Sequence, residues 1–434
     1  MPADTIFALA TGAGRSAVAV VRLSGPEAGS TLKELTGVAL KARHAHYAYF
    51  RDPQTLEILD HGLALYFPAP GSATGEDCAE LHLHGGRAIV EAVLSMLARF
   101  RGLRPAEPGE FARRAFLRGK MDLSQAEGLA DLIDAQTAFQ RRQALRVAEG
   151  ALRERMELWR ATLIGAQAMT AAELDFADES DVGVFSIDSL TGLIAPMLLQ
   201  MEEALKAAPA AERLREGFLV LLLGPPNAGK STLMNRLAQR EVAIVSELPG
   251  TTRDMIEVQL DLEGLPVIVV DTAGLRDSGD EIERIGVART RARAGQADLI
   301  LWLSEGGRAP VPSLGGDAEV IRIGTKADIA ETAPGVISIS SVSGEGVEAL
   351  CHAIAERAYK ALGGGETALL IRERHRAAIE SARSLLEGAM VRDKPLEIVA
   401  EDIRLASRQL ERILGAVEVE QVLDAVFSRF CIGK

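Results

Sequence analysis

Two hydrophobic periods alternate along this chain of 434 residues. Up to residue 119 the apolar positions fall in short strand-like runs, at 6–11, 17–23, 63–67 and 80–83, with one helical stripe near 88–100. That mixture predicts an α+β domain. From Asp122 the spacing turns helical: Leu129, Leu132 and Ile133 start an apolar stripe, and Ser124-x-x-Glu127 reads as a capping box. The helical pattern runs to about residue 215, and the acidic stretch 173–181 predicts a loop within it. Three apolar runs follow at 218–223, 267–270 and 320–325, as in strands buried on both faces. Helical spacing returns over 368–430 and breaks at Pro395. The predicted organisation is multidomain: an α+β domain at 1–119, a helical domain split into 120–215 and 365–434, and an α/β domain at 216–364 inserted between its halves. Insertion is easy where chain ends lie close together at a surface.

The inserted segment carries the clearest chemistry. Gly224-Pro225-Pro226-Asn227-Ala228-Gly229-Lys230-Ser231 fits G-x-x-x-x-G-K-[ST] directly after an apolar run. Backbone N–H groups of such a loop and of the helix it opens point at phosphate, so Asn227, Ala228, Gly229, Lys230, Ser231 and Thr232 are candidate nucleotide contacts. Lys230 would reach the β- and γ-phosphates and Ser231 would ligate Mg²⁺. Pro225 removes one donor, but ahead of the amides that cradle phosphate. A plain glycine turn is the alternative, and the strand before it and the motifs after it disfavour that.

The base is read further on. Thr325-Lys326-Ala327-Asp328 resembles the [NT]-K-x-D motif of GTPases. A carboxylate at Asp328 can accept two hydrogen bonds from the guanine N1–H and 2-amino group, and adenine offers no such donor pair. The Lys326 stem would cover the base plane. Thr325 stands where GTPases usually have Asn, and Ser340-Ser341-Val342 where they have S-A-K. Between the two motifs, Asp271-Thr272-Ala273-Gly274 supplies a carboxylate to hold Mg²⁺ through water and the Gly274 N–H to sense the γ-phosphate. Gly250-Thr251-Thr252-Arg253-Asp254 offers two threonines for the ion; we assign Thr252 to Mg²⁺ and Thr251 to the nucleotide. Four motifs in order define a P-loop GTPase domain. Leu275 follows Asp-Thr-Ala-Gly where Ras-like proteins place a glutamine, so the attacking water must be positioned by another group. Glu283 is the favoured candidate, although Asp277, Asp280 and Glu281 offer the same chemistry. Arg253 and Arg276 compete to supply the transition-state charge, Arg276 the more serious of the two.

Composition narrows the remaining choices. Hydrophobic residues at 47% and charged residues at 25% are ordinary for a globular protein. No apolar run reaches the length of a membrane span, and the N-terminus has no basic n-region or apolar h-region, so neither membrane insertion nor a signal peptide is expected. Cys78, Cys351 and Cys431 are too few for a disulfide framework, which predicts a cytoplasmic protein. The net charge of −13 argues against a strong stand-alone nucleic-acid binder. Arg113-Arg114 and Arg141-Arg142 read as solvated helix faces. Glu80, His82 and His84 alternate on one predicted strand face, a pattern that admits a metal site but more often makes cross-strand polar contacts.

Asn227, Gly250-Thr251-Thr252-Arg253-Asp254, and Asp271-Thr272-Ala273-Gly274-Leu275-Arg276 followed by Asp280-Glu281-Ile282-Glu283-Arg284-Ile285-Gly286 resemble the MnmE (TrmE) GTPase family. The terminal Cys431-Ile432-Gly433-Lys434 matches that family's C-[ILV]-G-K ending. The resemblance covers the whole chain. It implies a potassium-stimulated GTPase whose G domains meet across their nucleotide faces, with K⁺ held by Asn227, Val245, Glu247, Pro249 and Thr251 and the water positioned by Glu283. It implies a dimer-forming, folate-binding N-terminal domain with Arg22, Glu80 and Lys120 at a tetrahydrofolate derivative, and catalytic Cys431, with Lys434, near that site. It also implies a flavin-dependent partner, MnmG. Together the two would add a carboxymethylaminomethyl or aminomethyl group to the tRNA wobble uridine. Given the acidic charge, tRNA binding without the partner is expected to be weak.

Overall fold

Strand and helix boundaries come from a computed structural model that describes residues 4–12, 14–175, 186–240, 243–244, 256–271, 295–313, 318–363, 368–370, 372–416, 420–428, 430 and 432–433. The chain divides into two compact units, Met1–Ala130 with Leu410–Lys434, and Asp131–Gln409.

The first unit is built on a six-stranded sheet of β1 (Thr5–Leu9), β2 (Ser16–Ser24), β3 (His46–Arg51), β4 (Ile58–Phe67), β5 (Cys78–Gly85) and β6 (Leu103–Pro105), in the order β3-β4-β5-β2-β1-β6. Helices α1 (Ala28–Thr36) and α2 (Arg87–Leu97) cover one face, burying Leu32, Leu35, Val93, Met96 and Leu97 against Phe7, Val21, Leu23, Phe50, Leu81 and Leu83. This is the expected α+β arrangement. Four elements escaped the sequence reading: α1, β3, β6 and α3 (Glu110–Leu117). Each is short, so its period is hardly expressed before it packs.

On the other sheet face, Phe111 of α3 and Ala106 pack on Ile6 and Ala8 of β1. Farther along that face, strand register sets Tyr47, Leu63, His82 and Val20 in one cross-strand row. Here Tyr47, Tyr49 and Leu63 are exposed by 63%, 47% and 41%.

Helix α4 (Leu123–Asp134) corrects the capping reading. Asp122 is the cap: its Oδ1 accepts from the Gln125 N–H at 2.9 Å, and Gln125 Oε1 accepts from the Asp122 N–H at 3.1 Å. A carboxylate at the positive helix end outcompetes a hydroxyl two residues later, and Ser124 instead donates to Asp122 Oδ1 at 2.6 Å. Arg114 corrects a second expectation. Rather than sitting on a solvated face, it is 3% exposed and joins Glu76 at 3.0 Å, Glu110 at 2.9 Å and Asp4 at 3.0 Å. Arg104 also pairs with Glu110, and Arg118 with Glu76 at 2.9 Å.

The second unit begins with helices α5 (Ala138–Ala148), α6 (Ala151–Asp175) and α7 (Ile187–Glu216). Helix α6 runs into the acidic stretch expected to be a loop: residues 173–175 are helical, and 176–185 lie outside the described residues. The sheet that follows has the order β13-β12-β11-β7-β10-β9-β8, with the short strands β13 (Ile337–Ser338) and β8 (Ala243–Ile244) at its edges. Its centre is parallel: β7 (Phe218–Leu223) lies between β10 (Leu265–Asp271) and β11 (Leu299–Glu305), and β11 pairs with β12 (Glu319–Thr325). Strand β9 (Ile256–Leu262) returns antiparallel beside β10. Helices α8 (Lys230–Ala238) and α9 (Val347–Ala361) bury Leu233, Met234, Leu350 and Ile354 in its core. Helix α10 (Glu373–Ala389) ends before Pro395 and α11 (Leu396–Leu414) starts just after it, as the proline requires.

Candidate nucleotide-binding site

In an open α/β sheet, ligands bind beyond the carboxyl ends of the parallel strands. The site residues gather there: 224–229 link β7 to α8, Asp271 ends β10, Glu305 ends β11 and Thr325 ends β12. The phosphate loop needs its first glycine. Gly224 has φ 152°, and a Cβ there would stand 2.0 Å from the Leu303 carbonyl oxygen. Asn227 and Gly229, at φ 60° and 90°, turn the loop into α8. The Lys230 ammonium donates to the carbonyl oxygens of Gly224 at 2.9 Å and Pro225 at 3.1 Å, bending over its own loop. Burial holds its pKa below the usual lysine range, against the opposing pull of the Asp271 carboxylate. Ser231 Oγ donates to Asp271 Oδ2 at 2.9 Å, so a hydroxyl and a carboxylate from distant motifs converge. Two hard oxygen donors beside a phosphate loop fit Mg²⁺.

On the base side, Asp328 Oδ1 accepts from Ser340 Oγ at 2.6 Å, which orients the carboxylate. Ala327 N–H donates to the Ile339 carbonyl at 3.1 Å, tying this motif to the segment holding Ser340 and Ser341. Lys326 adopts φ 62° and its Nζ lies 2.7 Å from Glu305 Oε2. Sequence reasoning missed Glu305; the available signal was an acidic residue ending the apolar run 299–305, opposite Thr325 in register. Thr325 is 2% exposed and its hydroxyl oxygen has no hydrogen-bond partner among the described residues. A Cβ at Gly229 would stand 3.9 Å from the Thr325 Cβ, so an amide at this position reaches the phosphate loop. Thr325→Asn is expected to raise GDP affinity about fivefold, a gain of one hydrogen bond. Equilibrium titration with a fluorescent GDP analogue checks this, and unchanged affinity refutes it.

Several expected site residues lie outside the described residues: Val245, Glu247, Pro249, Thr251, Thr252, Arg253, Gly274, Leu275, Arg276, Asp277, Asp280, Glu281, Glu283, Cys431 and Lys434.

In the first unit, register sets Arg22 of β2 against Glu80 of β5. Arg22 Nε and Nη2 both donate to Glu80 Oε1, at 3.0 and 2.9 Å, and Glu80 Oε2 lies 3.2 Å from His82 Nε2. His84 Nδ1 pairs across strands with Asp60 Oδ1 at 2.9 Å. These are the polar contacts that the alternating pattern most often makes. Among the described residues no group of three His, Cys, Asp or Glu side chains is set to hold a metal ion. Lys120 stands apart from the pair: its Cε would lie 3.1 Å from a Cβ at Gly75, and no described hydrogen bond or ion pair joins it to Arg22 or Glu80. No helix among the described residues is long and apolar enough to cross a membrane.

A family model of the MnmE helical domain matches residues 123–431, and one of the GTP-binding protein TrmE N-terminus matches 5–120. The tRNA modification GTPase MnmE of Beijerinckia indica subsp. indica is 50% identical over 433 residues, 99% of this chain and 96% of that protein. The protein of the same name from Methylobacterium sp. is 52% identical over 446 residues, 99% of this chain and 100% of that one. Among solved structures, the G domain of the T. maritima FeoB iron transporter aligns with 32% of this chain and 98% of its own at 27% identity, TM-score 0.25. Likeness that runs through the phosphate loop, the helical segments and the N-terminal sheet alike leaves one assignment: the chain belongs to the MnmE family of tRNA modification GTPases.

Proposed function

We propose that this chain hydrolyses GTP with potassium stimulation and, with the flavin-dependent partner MnmG, adds a carboxymethylaminomethyl or aminomethyl group to the tRNA wobble uridine in the cytoplasm. The observation that carries the GTPase part is the convergence of Lys230, the Ser231–Asp271 pair and the Ser340-held Asp328 at one sheet edge. Asp328 selects guanine, and Lys326, held by Glu305, covers the base. Lys230 leaves the Gly224 and Pro225 carbonyls to meet the β- and γ-phosphates. Ser231 and Asp271, with Thr252, hold Mg²⁺. The bound ion offsets charge on the phosphates. With no glutamine after Asp-Thr-Ala-Gly, Glu283 orients the water, and Asn227 with 245, 247, 249 and 251 holds K⁺ as the added positive charge.

In the N-terminal unit, Arg22, Glu80 and Lys120 take a one-carbon tetrahydrofolate. Arg22 and Lys120 meet its carboxylates and Glu80 its pterin, with Cys431 and Lys434 nearby. A homodimer through the same unit is supported by the bare sheet region around Tyr47, Tyr49 and Leu63, since exposed apolar patches mark interaction surfaces. The charge of −13 supports weak tRNA binding without the partner.

GTP turnover in potassium against sodium buffer, across protein concentrations, tests this mechanism. A large potassium-specific gain that rises with concentration is expected, and Glu283→Ala is expected to abolish it with GTP binding intact. Equal rates in the two salts overturn the cation mechanism and transfer the missing charge to Arg276.

A further inference from the structure

The strand that follows the Gly250-Thr251-Thr252-Arg253-Asp254 motif and the strand that ends in Asp271 of the Asp-Thr-Ala-Gly motif form one hairpin. At its open end Ile256 of β9 lies opposite Asp271 of β10, the residue bonded to Ser231. Seven paired positions, about 20 Å of strand, separate that end from the closed one. There Glu263 and Gly264 make a two-residue turn with φ 57° and 86°, the left-handed pair a tight hairpin demands. This turn rests on the start of α5. The Phe139 N–H, one of the unpaired donors of a helix N-terminus, gives its hydrogen to the Gly264 carbonyl at 3.2 Å. The Phe139 ring packs on the core of the nucleotide-binding sheet, and a Cβ at Gly264 would stand 3.2 Å from its Cδ2. Arg142 covers the ring at 4.3 Å and Tyr359 of α9 meets it edge-on at 6.5 Å.

The same helix end also touches the chain entering the phosphate loop. Thr137 and Gln140 cap α5 reciprocally, and Gln140 Nε2 donates to the Arg215 carbonyl in the last turn of α7 at 3.1 Å. One turn of helix therefore holds both the closed end of the β9–β10 hairpin and the lead into β7.

We propose that Phe139 is a positioning residue, the seat that fixes the orientation of the nucleotide-binding domain on the helices and so links GTP hydrolysis to tRNA modification. This linkage rests on the reading given under Proposed function. The test uses the full chain with MnmG and tRNA, comparing Phe139→Ala with Phe139→Leu, which keeps most of the apolar volume. Phe139→Ala is expected to bind and turn over GTP within about twofold of the parent while modified uridine per GTP falls at least about fivefold, the range of ordinary coupling between sites. Phe139→Leu is expected to restore most of that yield.

Spin labels on Leu158→Cys and Val342→Cys, both exposed positions, report the orientation directly. The distance distribution is expected to broaden in Phe139→Ala and to narrow again in Phe139→Leu. An unchanged yield per GTP and an unchanged distribution in Phe139→Ala overturn the proposal. So does a parallel fall in nucleotide affinity and turnover, which marks a residue needed only for folding. Should the parent chain modify no tRNA, that reading fails by itself, and the distance distributions still decide whether Phe139 is the seat.

Discussion

Asp328→Asn is expected to convert the nucleotide preference from guanine to xanthine. The carboxylate is held by Ser340 at 2.6 Å, and in the proposed reading it would accept from the two donors on the guanine edge. An amide presents one acceptor and one donor pair, so the guanine 2-amino group meets another donor and a desolvated polar group is left unpaired. Xanthine carries a carbonyl at that position and matches the amide. A site built for one hydrogen-bonding pattern rejects the wrong one by roughly 10⁴-fold, and GTP affinity is expected to fall on that order while XTP affinity rises. The fold should hold, because Asn and Asp are isosteric and Ser340 can still donate to the amide oxygen. Competition binding with GTP, XTP and ATP is the measurement. Retained GTP preference removes Asp328 as the base-reading residue.

Arg114→Ala is expected to loosen the N-terminal sheet while leaving nucleotide binding intact. The guanidinium, 3% exposed, stands among Glu76, Glu110 and Asp4. Removing it leaves Glu110 and Asp4 with Arg104 alone and Glu76 with Arg118 alone, and the expected cost is about 3 kcal/mol, the low end for a broken buried pair. Both tryptophans, Trp159 and Trp302, lie in the other unit, so fluorescence would miss the change. Hydrogen exchange resolves it: peptides covering β1, β6 and α3 are expected to exchange faster, with GTP affinity unchanged. Protection equal to the parent's refutes the assignment.

The network also has an acid limit. Burial alone would raise the pKa of Glu110, but its bonds to Arg104, the Glu107 amide and Arg114 prevail and hold it below the usual 4.5. Asp4 is likewise held below 3.8, burial being outweighed by Arg104 and Arg114. Groups with depressed folded values add stability that is fully present above their unfolded pKa and is lost as pH falls through the folded one. Protection of these peptides should therefore decline below about pH 4 in the parent. In Arg114→Ala the folded values move up toward the unfolded ones, so protection should start lower and its acid-dependent decline should be shallower.

What the sequence determined by itself was the chemistry that is local in the chain. The phosphate loop is eight consecutive residues after a strand, and the guanine motif is four, so their geometry follows from neighbouring backbone. The helical stretches before 215 and after 368 and the buried strands β7, β10 and β12 were equally legible, because several turns or an uninterrupted apolar run express a period clearly, whereas β9, β11 and α9 of the same domain were not read. Short elements were not: β3, β6, α1 and α3 owe their shape to the sheet they pack against. The cap of α4 was misplaced because Asp122, Ser124, Gln125 and Glu127 all carry cap chemistry, and only the backbone geometry chooses among them.

Tertiary structure alone decided the pairings across long chain separations. Register placed Arg22 against Glu80, 58 positions apart, and parallel strand order brought Ser231 to Asp271, 40 apart. It turned Arg114 from an apparent surface charge into the centre of a buried ion network, and Phe139 from one more helical apolar residue into a contact with Gly264. A one-dimensional pattern records how often a side chain faces inward. Which distant group it meets there depends on sheet order and register, and those are fixed only when the whole core closes.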